Sequence, residues 1–224
     1  MKKTVLYIFL LASVGELVTT VFELPILHLI CKPLIMITLG SYYLLTVHRE
    51  DRSTSLIEAV VFSLVGDVLL MIEDSSGLFF KLGLAAFLLA HVFYILTYRQ
   101  HRTEGEADKL KGIQKMRLAF PIILSATGLL VILYPVLGDL RIPVIIYTLV
   151  IMFMTLNALY RFGLTNTKSF FMVFAGAILF MLSDSILAIS KFRHPIEHAD
   201  LMVMSSYIAA QFLIVRGLIY HSRK

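Results

Sequence analysis

Charged residues in this chain come in short clusters, and the stretches between them are almost wholly apolar. Reading from cluster to cluster marks eight runs, at about 4–22, 26–46, 55–73, 78–98, 118–137, 142–160, 170–190 and 200–220. Each is close to the roughly 20 helical residues that cross the hydrocarbon core of a bilayer. Inside lipid the backbone polar groups must be satisfied within the segment, which a helix achieves alone. The chain has 58% apolar and 16% charged residues, against roughly 25% charged in a soluble domain. An ordinary cytosolic enzyme, a secreted disulfide scaffold and a disordered chain are therefore excluded. The single cysteine, Cys31, cannot form an internal disulfide. The net charge of +5 is spread between apolar runs rather than gathered on a soluble face, so no nucleic-acid partner is expected. The expected fold class is all-α: a polytopic membrane protein, an eight-transmembrane-helix bundle forming one domain over 1–224.

Lys and Arg concentrate on the cytoplasmic side of membrane proteins. With the N-terminus inside, the inner side carries Lys2, Lys3, Arg49, Arg52, Arg99, Arg102, Lys109, Lys111, Lys115, Arg117, Arg161, Lys168, Arg223 and Lys224. The outer side carries Lys81, Arg141, Lys191 and Arg193, while Lys32 and Arg216 fall inside spans. Both termini are therefore expected in the cytoplasm, with the protein in the cell membrane (the inner membrane of a Gram-negative source). Lys2 and Lys3 before an apolar run also fit a signal peptide. Cleavage would leave an odd helix count with the wrong loop charges, so a first span is the reading adopted.

The third span contains Gly66-Asp67 and the seventh Ser183-Asp184, each a small residue and an aspartate between apolar runs. The following spans also match loosely, Ala90-His91 against Ala210-Gln211. A spacing of four helices preserves orientation, so a parallel four-plus-four internal repeat is a possible architecture. Asp67 and Asp184 both lie about two-thirds along their expected outward-running spans, roughly 9 Å from the outer end. Two acids at one depth can face each other as a dyad.

A charge in mid-membrane costs at least about 2.5–3.5 kcal/mol and turns inward to a partner or a task. The polar inventory is Glu16, Lys32, Asp67, Glu73, His91, Asn157, Asp184 and Gln211. Glu73 is expected at a helix end within reach of water. Glu16 and Lys32 fall at similar depth in adjacent helices, which fits a structural ion pair; alternatively Lys32 addresses a lipid phosphate or the acids. Gly66 and Ser183 also serve close helix approach. Asp67 and Asp184 either lock helices together or do chemistry. Two carboxyls in one low-dielectric site titrate as a pair, one holding its proton while the other is anionic. An acid beside a base is what hydrolysis through a cationic intermediate requires.

His194-Pro195-Ile196-Glu197-His198 spells H-x-x-E-H, an inverted zinc-protease pattern. Pro195 lies inside it and no third ligand is near in sequence, so a charged outer loop is the preferred reading. His91 has no second intramembrane histidine to join it, which favours hydrogen bonding or proton relay over metal binding. The basic stretch Arg99–Arg117 reads as a solvated inner loop, able to touch anionic head groups.

Several segments together resemble the YhhN family: Lys32-Pro33-Leu34 in the second span, Gly66-Asp67 in the third, and Gly83-Leu84-Ala85-Ala86-Phe87-Leu88-Leu89-Ala90-His91 with Tyr94 in the fourth. Ser183-Asp184 in the seventh span and Gln211-Phe212-Leu213-Ile214-Val215-Arg216 in the eighth complete the resemblance. It covers the whole chain, and its specificity lies in the order of the motifs on successive helices. The resemblance implies lysoplasmalogenase activity: hydrolysis of the vinyl ether bond of a lysoplasmalogen to a fatty aldehyde and glycerophosphoethanolamine or glycerophosphocholine. It implies Asp67 and Asp184 as catalytic residues and Lys32 and His91 as matches to the family's lysine and histidine motifs. Position 211 is histidine in some members, so for Gln211 it implies hydrogen bonding. Asn157 is a further expected substrate contact. The expected partners are a lysophospholipid and the bilayer, with no metal or other cofactor.

Three other readings compete. A lysolipid transporter or flippase would use the same polar cavity, although the spans lack the Gly/Pro-interrupted pair typical of discontinuous binding helices. An intramembrane aspartyl protease would also carry two aspartates, but Leu64 stands where a G-x-G-D motif needs its first glycine. A non-catalytic scaffold is the third.

Overall fold

The computed structural model describes residues 1–72, 77–102 and 112–222, and among them every regular element is helical. The α-helices are α1 (Lys2–Phe22), α2 (Pro25–Thr46), α3 (Thr54–Leu70), α4 (Leu78–Gln100), α5 (Gly112–Leu133), α6 (Arg141–Leu159), α7 (Thr167–Phe192) and α8 (Ala199–Ser222). Short 3-10 turns occupy Arg49–Asp51, Tyr134–Val136 and Gly138–Leu140. Among the described residues, 7 helices are long and apolar enough to cross a membrane. The exception is α3, whose 17 residues span about 25 Å, less than a bilayer core of roughly 30 Å. The third expected span thus ends at Leu70 rather than residue 73, and Glu73 lies outside the described residues, as do residues 103–111 of the basic stretch.

Local chemistry sets the helix ends. Pro25 begins α2, where its missing N–H is not needed. Glu23, at φ 54°, turns left-handed and donates its N–H to the Thr19 carbonyl, closing α1. Ser53 Oγ accepts the Leu56 N–H at the start of α3, and Asn166 Oδ1 accepts the Ser169 N–H at the start of α7. The Arg52 guanidinium donates back to the Leu44 and Val47 carbonyls, satisfying acceptors at the end of α2.

The described residues fall into two compact units, 1–97 and 98–222. In the first, α1 packs on α2 and α3 on α4 with close approach at small residues. A Cβ at Gly66 would lie 2.6 Å from the Phe87 ring. In the second, α7 and α8 form the most intimate pair. A Cβ at Gly176 would lie 2.8 Å from the Ala210 carbonyl oxygen, so only glycine lets the backbones meet. One apolar cluster of this unit gathers Ala119, Ile122, Leu156, Leu159 and Phe170; another, toward the end of α7, joins Leu133, Leu137 and Val144 to Ile189 and Phe192. Large apolar side chains are turned outward, among them Leu11, Ile26, Val131 and Ile142. On helices long and apolar enough to cross a bilayer, such a surface suits lipid. This is a multi-pass membrane protein.

Candidate functional site

Lys32, Asp67 and His91 belong to the first unit; Asn157, Asp184 and Gln211 belong to the second. Asp67, His91 and Gln211 are fully or almost fully buried, as the cost of charge and polarity in lipid requires. Asp67 stands three residues before the end of α3, about 4.5 Å along the axis, whereas Asp184 stands eight residues before the end of α7, about 12 Å. α3 is the shorter helix, and its early stop leaves Asp67 in its last turn.

In the first unit Glu16 is completely buried. Its Oε1 lies 2.9 Å from His28 Nδ1, and Thr19 Oγ1 lies 3.4 Å from its Oε2. The partner of Glu16 is thus His28, one helical turn before Lys32, and not Lys32 itself. Lys32 acts on Glu16 electrostatically, but forms no hydrogen bond or ion pair with any of the described residues.

In the second unit the Tyr147 hydroxyl on α6 donates to Asp184 Oδ2 at 2.6 Å. This fixes one carboxylate oxygen. Sequence reasoning missed Tyr147, one of ten tyrosines in apolar surroundings; its place on the face that meets Asp184 is a property of how α6 packs on α7. Ser183 Oγ donates to the Val203 carbonyl at 3.0 Å, tying α7 to α8 beside that aspartate. Asn157 is hydrogen-bonded within this unit. Its Oδ1 accepts from Arg99 Nε and Arg102 Nη2, both at 3.1 Å, and its Nδ2 donates to the Phe153 carbonyl. The loop 194–198 keeps Glu197 and His198 exposed. Among the described residues no three His, Cys, Asp or Glu side chains converge as metal ligands.

The model of the YhhN family matches residues 27–218. The chain belongs to the YhhN family. A human lysoplasmalogenase, TMEM86B, is 33% identical over 156 residues, covering 70% of this chain and 59% of the relative. Human lysoplasmalogenase TMEM86A is 29% identical over 194 residues, covering 84% and 73%. A lysoplasmalogenase of Mycobacterium bovis is 32% identical over 178 residues, covering 78% and 63%. The chain thus spans between about three-fifths and three-quarters of the length of these YhhN-family relatives. No solved structure matches it.

Proposed function

We propose that this YhhN-family chain is a lysoplasmalogenase, hydrolysing the vinyl ether of lysoplasmenylethanolamine or lysoplasmenylcholine. The observation that carries this reading is its similarity, over most of its length, to human and mycobacterial proteins bearing that name. Acidic groups held inside a membrane protein support it, because vinyl ether hydrolysis needs a proton donor and a carboxylate at the depth of a lipid chain.

The vinyl carbon beta to oxygen takes a proton, its C–H bond forming from the C=C electron pair. The positive charge is then shared between the alpha carbon and the ether oxygen. Water attacks that carbon and gives up a proton, producing a hemiacetal. Collapse breaks the bond between this carbon and the glycerol oxygen, which leaves as an alcohol after taking a proton. The sum is lysoplasmalogen plus water giving fatty aldehyde plus glycerophosphoethanolamine or glycerophosphocholine. We assign Asp67 and Asp184 to the donor and carboxylate roles. The carboxylate stabilises the cation and accepts the proton of the attacking water. Tyr147 positions Asp184, consistent with its 2.6 Å hydrogen bond. Lys32 takes the substrate phosphate, His91 and Gln211 supply hydrogen bonds, and Asn157 organises the two arginines it holds. The proposed setting is the cell membrane with both termini cytoplasmic and α3 completing eight crossings.

The test is aldehyde release from lysoplasmenylethanolamine by the purified wild type beside Asp184→Asn. Release lost in the variant supports the reading. Folded wild-type protein that binds lysolipid and releases no aldehyde overturns it and points to lysolipid transport.

A further inference from the structure

Three arginines converge in the second unit at the end where α4 stops and α7 begins. Arg161, in the turn after α6, is completely buried. Its Nε donates to the His101 carbonyl at 3.3 Å, and its Nη2 to Ser169 Oγ at 2.9 Å and Thr165 Oγ1 at 3.5 Å. Its Nη1 is buried with no hydrogen-bond partner among the described residues. Arg102 is half-buried. Its Nη2 is held by the Asn157 carbonyl and Oδ1, at 3.2 and 3.1 Å, while its Nε is likewise buried without a partner among the described residues. Arg99 is exposed and joins them through Asn157 Oδ1.

Among the described residues, every acceptor these guanidiniums find is neutral: backbone carbonyls, an amide and two hydroxyls. Of this unit's carboxylates, Asp184 lies well along α7 and Asp139, Glu197 and Asp200 lie at or just before the far ends of α6 and α8, while Glu104, Glu106 and Asp108 lie outside the described residues. The N-terminus of α7, beginning two residues before Ser169, adds its own positive end to the cluster. Burial above all, with neighbouring Arg102 and against the effect of Tyr98, pulls the Arg161 guanidinium down to about 10, so it remains charged at neutral pH. Burial and Arg99 also lower Arg102. A buried cation served only by neutral dipoles is costly, and an anion relieves that cost.

We propose that Arg161, Arg102 and Arg99 form a phosphate-binding site, with Arg161 Nη1 and Arg102 Nε as the donors held in reserve for the anion. A tetrahedral phosphate suits forked guanidinium donors better than a spherical halide does. The gradation from exposed Arg99 through half-buried Arg102 to buried Arg161 gives a negatively charged group a way in. The occupant is a phosphate group, either the head group of an anionic phospholipid or free phosphate. It is not the phosphate of a substrate at Asp184. Ser169 and Asp184 are fifteen residues apart on α7, about 22 Å, and a lysolipid phosphate lies only one glycerol away from its vinyl ether. The site therefore stands or falls independently of the proposed reaction.

The experiment uses the full chain in detergent micelles. Thermal unfolding is followed in inorganic phosphate and in chloride at matched ionic strength, and retention of phosphatidylglycerol against phosphatidylcholine is read by native mass spectrometry. Stabilisation by phosphate without added lipid identifies free phosphate as a ligand. Preferential retention of phosphatidylglycerol without a phosphate effect identifies a lipid head group. In either case Arg102→Gln weakens binding about tenfold or more, the usual loss of a charged hydrogen bond. Arg161→Lys weakens it while keeping the buried charge, and Arg193→Gln, beyond the far end of α7, leaves it unchanged. The proposal is overturned if phosphate behaves as chloride and the two lipids are retained equally. It is also overturned if folded Arg102→Gln binds as the wild type, or if Arg193→Gln weakens binding as much.

Discussion

Tyr147 on α6 and Asp184 on α7 are joined by a hydrogen bond of 2.6 Å from the phenol to Oδ2. The bond holds the aspartate by one carboxylate oxygen and so restrains its orientation. Hydrogen bonds to charged groups are worth about 1.5–3 kcal/mol, and a turnover that relies on this orientation loses about that much when the phenol is removed. Tyr147→Phe is expected to lower kcat for aldehyde release by about tenfold or more, with KM little changed. Steady-state kinetics on lysoplasmenylethanolamine check this, and a purely structural tyrosine would leave kcat intact in the folded fraction.

Asp67→Asn and Asp184→Asn keep the side-chain shape and remove the acid. Each is expected to reduce aldehyde release by a factor of about 10² to 10⁴, the contribution of a positioned acid or base. Circular dichroism alongside the assay separates this from unfolding. Near-normal turnover in either variant removes that aspartate from the chemistry.

Lys32 forms no hydrogen bond or ion pair with a described residue and reaches Glu16 only electrostatically, so replacing it breaks no direct contact. Lys32→Met is expected to raise KM about tenfold through loss of a charge-assisted contact with phosphate, while leaving the unfolding midpoint close to the wild type. A large fall in stability with unchanged KM would assign it to the scaffold instead.

Glu16 depends on His28. His28→Ala leaves a buried carboxyl without its closest partner and is expected to cost about 1–3 kcal/mol of stability. Glu16→Gln with His28→Ala should cost less than the sum of the two single changes, because the second removes a partner already lost. Denaturation of the four proteins in one detergent measures the cycle.

Gly176 lies against the α8 backbone, 2.8 Å from Ala210 O in Cβ terms, whereas a Cβ at Gly128 meets nothing within 4 Å. Gly176→Ala is therefore expected to destabilise by about 1–3 kcal/mol through forced separation of α7 and α8. Gly128→Ala should be tolerated. Equal melting of the two variants would refute the packing argument.

The helices are legible in the sequence because their signals are local. Runs of apolar residues between charge clusters define most spans, since lipid leaves the backbone no partner but itself. Pro25, Ser53 and Asn166 mark helix starts through the chemistry of neighbouring residues. The early end of α3 is less legible, because Met71 and Ile72 continue the apolar run after the helix has stopped.

The family is readable from motifs in order along the chain, and the polarity of Asp67, Asp184, His91 and Gln211 announces itself in apolar surroundings. The partners do not. Which groups meet across helices depends on rotation about each axis and displacement along it, and hydropathy carries neither. Glu16 thus pairs with His28 rather than Lys32, and Tyr147 meets Asp184 without any mark in the sequence. Asn157 is taken by two arginines. Arg161 counts in sequence as one more cytoplasmic loop cation, yet folding buries it completely. The sequence alone determined that this chain lives in a membrane and where most of its helices run, because burial in lipid is decided residue by residue. Only the tertiary structure decided which charges are held and by what, because those energies belong to pairs of atoms on separate helices.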